Sequence, residues 1–443
     1  MLAAAHDPGT AERALRIRYA DVPRPLQEHL ADAKIVEETF DSYVAGIEAA
    51  TARRVADGDR EHLIYYALQS RRFTGRARIE PALSARRFVD RLPAAERERL
   101  LSDSAYRPSG GLPREERARL TDLLTALRTD SSDLRLSYFR ELMRSMWPAS
   151  GPDGFYPDYL RVVRFLYLKE FVDARDAAAI ARLYQTRSHS SDTQIDAGFG
   201  VAIGLGVIHA LEPAFRARRV LVVGPGLDLA PRTDLIDASP LQSHQPLAVT
   251  DALLSSSMAS AEDLRVHSVD VNPRVVRAVE QLTRGVTWHL FSSVVETRDR
   301  PLSAEYRGYL SRLGRAIGDE IEEPPGVAAN YHYQHSIAVP VSVARTFSAE
   351  SLNVITERLD DAFDVIVATN VLPYFDDREV LLALTNVAAM LRPGGYLVHN
   401  ESRDGLADVA SAVGLPTLQM RTVVLGGPPG RPLYDAVWIH QRR

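Results

Sequence analysis

Cysteine is absent from all 443 residues, and with it go disulfides, thiolate nucleophiles and zinc–thiolate sites. Lysine is nearly absent: only Lys34 and Lys169 occur, so the glycine-rich region described below holds neither a phosphate-loop lysine nor a Schiff-base lysine. No apolar run is long. Ala197 to Leu211 is the most apolar stretch, but it is glycine-rich, carries His209 and falls short of the roughly 20 residues a membrane helix needs. The opening Met1-Leu2-Ala3-Ala4-Ala5-His6-Asp7-Pro8 breaks before a signal-peptide core can form, so cytoplasmic residence and no membrane partner are expected. A net charge of −5 offers no general attraction to phosphate backbones, and nucleic acid is not an expected partner. Arg71, Arg72, Arg76, Arg78, Arg86 and Arg87 could form a local basic patch, although a solvated surface is the plainer reading.

With 45% hydrophobic and 25% charged residues, the chain has the composition of a soluble globular protein long enough for two domains. From Pro25 to about Met146 the periodicity is helical: Phe40, Val44 and Ile47 share a face, as do Leu120, Leu123, Leu124 and Leu127. Trp147 to Pro157 is dense in turn residues and is the best linker candidate. The expected division is therefore a helical domain over residues 1–155, capping the acceptor side, and an α/β domain over 156–443. Asp158 to Gln185 and Asp192 to Leu211 read as two helices leading into it.

Val220-Leu221-Val222-Val223-Gly224-Pro225-Gly226 is an apolar, β-branched run that stops at two glycines, as a buried parallel strand does when the backbone must turn beside a ligand. Arg265 to Asp270 is a second strand ending in a carboxylate that can accept two hydrogen bonds from ribose hydroxyls. Asn272-Pro273 then opens a helix with Val275, Val276, Val279 and Leu282 facing inward. The position where a dinucleotide fingerprint wants its third glycine is Leu229, which weakens a nicotinamide reading. At the carboxyl end, Met420 to Leu425 and Tyr434 to His440 flank a glycine–proline turn and read as a hairpin.

Together with Phe363-Asp364-Val365-Ile366 and Leu391-Arg392-Pro393-Gly394-Gly395, these segments resemble the class I S-adenosylmethionine-dependent methyltransferases over roughly residues 180–443. The resemblance implies a doubly wound, seven-stranded sheet with an antiparallel last strand, and S-adenosylmethionine as cofactor. The implied cofactor contacts are Gly224, Pro225, Gly226, Asp270, Val271, Asn272, Leu352, Asn353, Asn370 and Val371. Tyr184 and Arg187, just before the glycine strand, are added because Arg187 can pair with the methionine carboxylate. Departures from the family pattern fall at Val222 and Asp228. Residues 237–260 and 291–340 look like insertions, of the kind that build a lid or a substrate wall. Locally, Asn370-Val371-Leu372-Pro373-Tyr374-Phe375-Asp376 and Ser351-Leu352-Asn353 resemble the chemotaxis-receptor carboxyl methyltransferases.

Methyl transfer from a sulfonium needs alignment and exclusion of water, and a base only for some acceptors. Tyr374, His332 and His335 are the candidates for that role. The period of two in Tyr331-His332-Tyr333-Gln334-His335 puts the two histidines on opposite faces of a strand, which argues against a metal site. The expected function is methyl transfer to a small-molecule acceptor. A protein carboxyl methyltransferase and a non-catalytic S-adenosylmethionine-binding protein are the alternatives.

Overall fold

The computed structural model describes residues 14–129, 132–144, 151–229, 241–294, 296–322, 333–428 and 430–443. Its centre is a seven-stranded sheet of β1 (Arg219–Val223), β2 (Arg265–Asp270), β3 (Phe347–Ser351), β4 (Phe363–Ala368), β5 (Leu391–His399), β6 (Thr417–Gly426) and β7 (Leu433–Gln441), in the order β6-β7-β5-β4-β1-β2-β3. β1 runs parallel to both β2 and β4, β3 continues the parallel set beyond β2, and β7 closes the sheet antiparallel to β5. Every residue of β4 is buried, as expected of a parallel strand covered on both faces. The expected sheet and its antiparallel last strand are thus present.

Alternate residues of β1 feed two separate cores. Val220 and Val222 join one apolar cluster, Leu221 and Val223 the other, because successive side chains point to opposite faces. Both clusters extend into the helical region. The 33-residue helix α1 (Glu37–Gln69) gives Phe40, Val44 and Ile47 to one and Leu63, Ile64, Tyr66 and Ala67 to the other. Near it, Leu15–Arg16 pairs antiparallel with Glu357–Arg358. A boundary at residue 155 therefore does not separate two cores, and α3 (Tyr156–Tyr167), just past it, packs on α1 and on α2 (Pro81–Arg91).

Other expectations need correction. The helix expected over 158–185 is broken: a π-turn at Leu168–Val172 follows α3, and α4 (Ala177–Thr186) starts anew where the Asp176 carboxylate accepts the amide of Ala179. After it, α5 (Ala197–Leu211) leads into β1. Of residues 237–260, α6 (Gln245–Ser255) is no insertion but the crossover helix linking β1 to β2. Beside the main sheet, Val286–Phe291, Gln334–Val339 and Asp319–Ile321 form a three-stranded antiparallel sheet, buried around Trp288 and Ile337. Three arginines of the basic patch are held in ion pairs, Arg72–Asp133, Arg76–Asp122 and Arg86–Asp90. No helix among the described residues is long and apolar enough to cross a membrane.

Candidate functional site

The strand order reverses between β2–β3 on one side of β1 and β4–β5 on the other, and a crevice opens at the carboxyl ends of the strands at such a point. Here it is a cleft of about 580 Å³, a volume that holds a drug-sized ligand. Along its floor lie Gly224 and Gly226 after β1, Asp270 and Val271 after β2, Leu352 and Asn353 after β3, and Asn370, Val371 and Tyr374 after β4. Tyr184 and Arg187 line the opposite wall. Eleven of the expected site residues thus meet in one place although the sequence scatters them over 190 positions.

Three do not. Pro225 is buried behind the glycines. Asn272 caps α7 (Pro273–Gln281), its side-chain oxygen accepting the amide of Arg274 at 3.0 Å while its amide group donates to Asp59 and Ser191. His335 faces the extra sheet, its Nε2 2.8 Å from the carbonyl of Leu313 and its ring edge-on to Tyr333. It is removed from the cleft because period-two alternation turns it inward with Ile337, and no described residue of 291–340 lines the cleft. His332 lies outside the described residues.

The glycines are required by packing as well as by φ. Gly224 and Gly226 have φ of 65° and 60°, the left-handed region that favours glycine. A Cβ on Gly224 would come within 2.5 Å of Val371, and one on Gly226 would overlap Thr193. The glycine loop is therefore pressed against Ser191 to Thr193, with Leu227 donating to the Ser191 carbonyl at 2.7 Å and Thr193 donating to Leu227 at 2.8 Å. Asp192 continues this seam by accepting the amide of Leu229, so it does not cap α5.

Segment 187–193 is held from above by α1. Arg54 donates from Nε to the carbonyl of Arg187 at 2.8 Å and from Nη2 to those of Tyr374 at 2.8 Å and Tyr184 at 3.3 Å. Gly58 meets the carbonyl of His189 so closely that a Cβ would overlap it. His62 accepts the Ser191 amide at Nε2, 3.1 Å away. A backbone amide only donates, so Nε2 is bare, and burial keeps the ring neutral with its proton on Nδ1. That Nδ1 is buried without a hydrogen-bond partner.

Electrostatics follow burial. Asp270 accepts the Asn272 amide at 2.8 Å, yet burial, with Asp59 adding to it, pushes its carboxyl up to about 7. Asp59, 1% exposed, is itself tied to Tyr138 at 2.6 Å and to Arg274 at 2.8 Å. Burial likewise raises the Tyr374 phenol, whose hydroxyl pairs with Ser190. Arg187 lies 3.8 Å over the Phe165 ring and 3.6 Å from Glu61. Asn370 adopts φ 59° at the end of β4, a strained turn that asparagine tolerates, and is cross-bonded to Asn400 by two 2.8 Å contacts. Among the described residues no cluster of three histidines or carboxylates is arranged to hold a metal ion.

Sequence reasoning missed Val55, His62, Tyr65, Phe165 and His189, all of which line the cleft. Only His189 carried a signal, lying two residues beyond Arg187.

Residues 324–417 match the family model for the CheR methyltransferase SAM-binding domain, a segment spanning β3, β4, β5 and the turn at Asn370 to Asp376. No curated protein sequence matches the chain. Among solved structures, the N-methyltransferase NodS of Bradyrhizobium japonicum WM9, in complex with S-adenosyl-L-homocysteine, is 14% identical with a TM-score of 0.29, covering 55% of this chain and 87% of that one. The magnesium protoporphyrin IX methyltransferase ChlM of Synechocystis PCC 6803, with bound SAM, is 8% identical with a TM-score of 0.29, covering 64% and 97%. Likenesses at these scores carry no argument; the strand order, the cleft at its switch point and the matched segment do. By them the chain has the class I methyltransferase fold and is an S-adenosylmethionine-dependent methyltransferase, with S-adenosylmethionine as its cofactor.

Proposed function

We propose that this methyltransferase acts on a small-molecule acceptor enclosed between α1, the 184–193 segment and the turn after β4. The observation that carries this is the roof: Arg54 and Gly58 of α1 pin segment 187–193 down onto the glycine loop, so the cleft is walled on the acceptor side by Tyr65, Phe165, Tyr184 and Tyr374. Such a partly enclosed, aromatic-lined pocket suits a small, partly apolar compound rather than a polymer lying in a groove.

The residues present fit the cofactor. A carboxylate at Asp270 can accept the two ribose hydroxyls, the apolar side chains of Val271 and Leu352 can flank the adenine with Asn353 at its edge, and Arg187 can pair with the methionine carboxylate. When bound, S-adenosylmethionine supplies a methyl group activated by the sulfonium. The chain's own part is to hold acceptor and cofactor in line and to keep water out. Asn370 and Val371 border the reacting region, and Tyr374, kept protonated by burial, orients groups there and does not act as a base.

A second reading, a protein carboxyl methyltransferase, is favoured by the match over 324–417. Release of S-adenosylhomocysteine separates the two. Turnover with small-molecule pools and none with acidic protein side chains supports the first reading, and the reverse supports the second.

A further inference from the structure

His189 is tied down by its backbone and by one ring contact. Its amide donates to the carbonyl of Arg54 at 3.0 Å, its own carbonyl abuts Gly58, and its ring stands edge-on to Tyr374 with centroids 5.5 Å apart. The Tyr374 ring in turn meets Tyr184 edge-on at 5.8 Å. Yet Nε2 of His189 is buried without a hydrogen-bond partner, in a residue that lines the cleft. A buried polar atom left unpaired is costly, and one held beside the turn after β4 is placed to receive a ligand.

We propose that the acceptor is a planar, phenol-type hydroxyl compound lying among Tyr184, Tyr374 and Phe165, and that its O–H donates to Nε2 of His189. This rests on the small-molecule reading above. In the transfer the acceptor oxygen's lone pair forms the new O–C bond, the C–S bond breaks with its pair going to sulfur, and the hydroxyl proton passes to Nε2 and then to solvent.

The chemistry of His189 selects the hydroxyl. Burial, together with the guanidinium groups of Arg54 and Arg187, draws the imidazole down to about 3. So weak a base takes no proton from an alkylammonium, which is a far weaker acid than its imidazolium, whereas a hydroxyl becoming methylated turns into a strong acid and gives its proton up.

The test is S-adenosylhomocysteine release over three arms, a set of mono- and bicyclic phenols, a set of aryl and alkyl amines, and aromatic carboxylates, with wild type, His189→Leu and His189→Gln. Cofactor titration reports whether each variant is folded. Turnover should be confined to the phenol arm. His189→Leu should lower kcat/KM by 100-fold or more, with cofactor affinity changed less than twofold. His189→Gln, which can still accept a hydrogen bond but cannot take the proton, should keep the acceptor KM and lose kcat, its rate at saturating S-adenosylmethionine climbing with pH where wild type is flat between pH 6 and 8. Turnover confined to amines or carboxylates, or His189→Leu turning over phenols like wild type, overturns the proposal while leaving the small-molecule reading intact. Turnover of protein carboxylates alone overturns both.

Discussion

Gly58 of α1 and the carbonyl of His189 are packed backbone against backbone, with no room for a Cβ between them. This is where the helical layer closes over the cofactor cleft, and it sets a demand that composition does not reveal. Gly58→Ala should cost about 1–3 kcal/mol by overpacking and weaken cofactor binding, because α1 must lift off segment 187–193. Gly46, on the same helix with nothing within 4 Å of its Cβ position, is the control: Gly46→Ala should stabilise by about 0.4–1 kcal/mol. Denaturant melts of the two variants should move in opposite directions.

A deletion tests whether the helical layer is dispensable. Because α1 supplies residues to both apolar clusters, a fragment starting at Pro157 should lack a cooperative unfolding transition and should bind no cofactor. A sharp melt and retained binding in that fragment would restore the division at residue 155.

The loop beside Thr193 can be probed by a double mutant. Gly226→Ala both strains a φ of 60° and overlaps Thr193, so it should weaken cofactor binding by tenfold or more, about 1.4 kcal/mol. Adding Thr193→Ala removes the overlap but not the strain. Affinity should recover in part, and the cycle should show a coupling energy of about 0.5–3 kcal/mol.

His399 and His440 stack with both rings fully buried and their Nε2 atoms 2.9 Å apart. The Glu401 amide donates to Nδ1 of His399, and Nδ1 of His440 donates to the Leu415 carbonyl. The chain of bonds closes with one proton on each ring: His399 must then donate from its Nε2 to that of His440. Burial draws both imidazoles down, and for His399 the neighbouring ring adds to it. Unfolded histidines titrate near ~6.5, so the pair's contribution to stability is full above that pH and is lost as pH falls below it toward the folded values. Denaturant melts between pH 7.5 and 5.5 should show this loss, and the slope should be shallower in His399→Gln.

Much of the sheet was legible because each strand carries its own signal: a β-branched run ending in glycine, an acidic strand end, a fully apolar strand at Phe363 to Ala368. Site residues at those strand ends were legible for the same reason, since position in a parallel sheet dictates what faces the crevice. Gly58, His62 and Tyr65 were not, because nothing local distinguishes them from other residues of a long helix, and only tertiary packing brings them over the cleft. His335 misled for the opposite cause. A cluster of rings and imidazoles suggests chemistry, but alternation along the strand sends His335 to the carbonyl of Leu313. α6 resembles an insertion in the sequence because the spacing from Gly226 to Asp270 is 44 residues, beyond the roughly 20 usual for the motif.

Asp270 gives cofactor affinity a pH dependence. Its carboxyl, raised to about 7 by burial and by Asp59, must be ionised to accept two hydroxyls, so binding should release a proton near neutrality. Affinity for S-adenosylmethionine should fall about tenfold from pH 8 to pH 6, and Asp270→Asn should remove that dependence.

Calorimetric titration of S-adenosylmethionine into wild type and Asp270→Ala tests the account most directly. The account predicts one binding site per wild-type chain and a loss of about 1.5–3 kcal/mol in the variant, the strength of hydrogen bonds to a charged group. No binding to wild type, or equal affinity in Asp270→Ala, would contradict it.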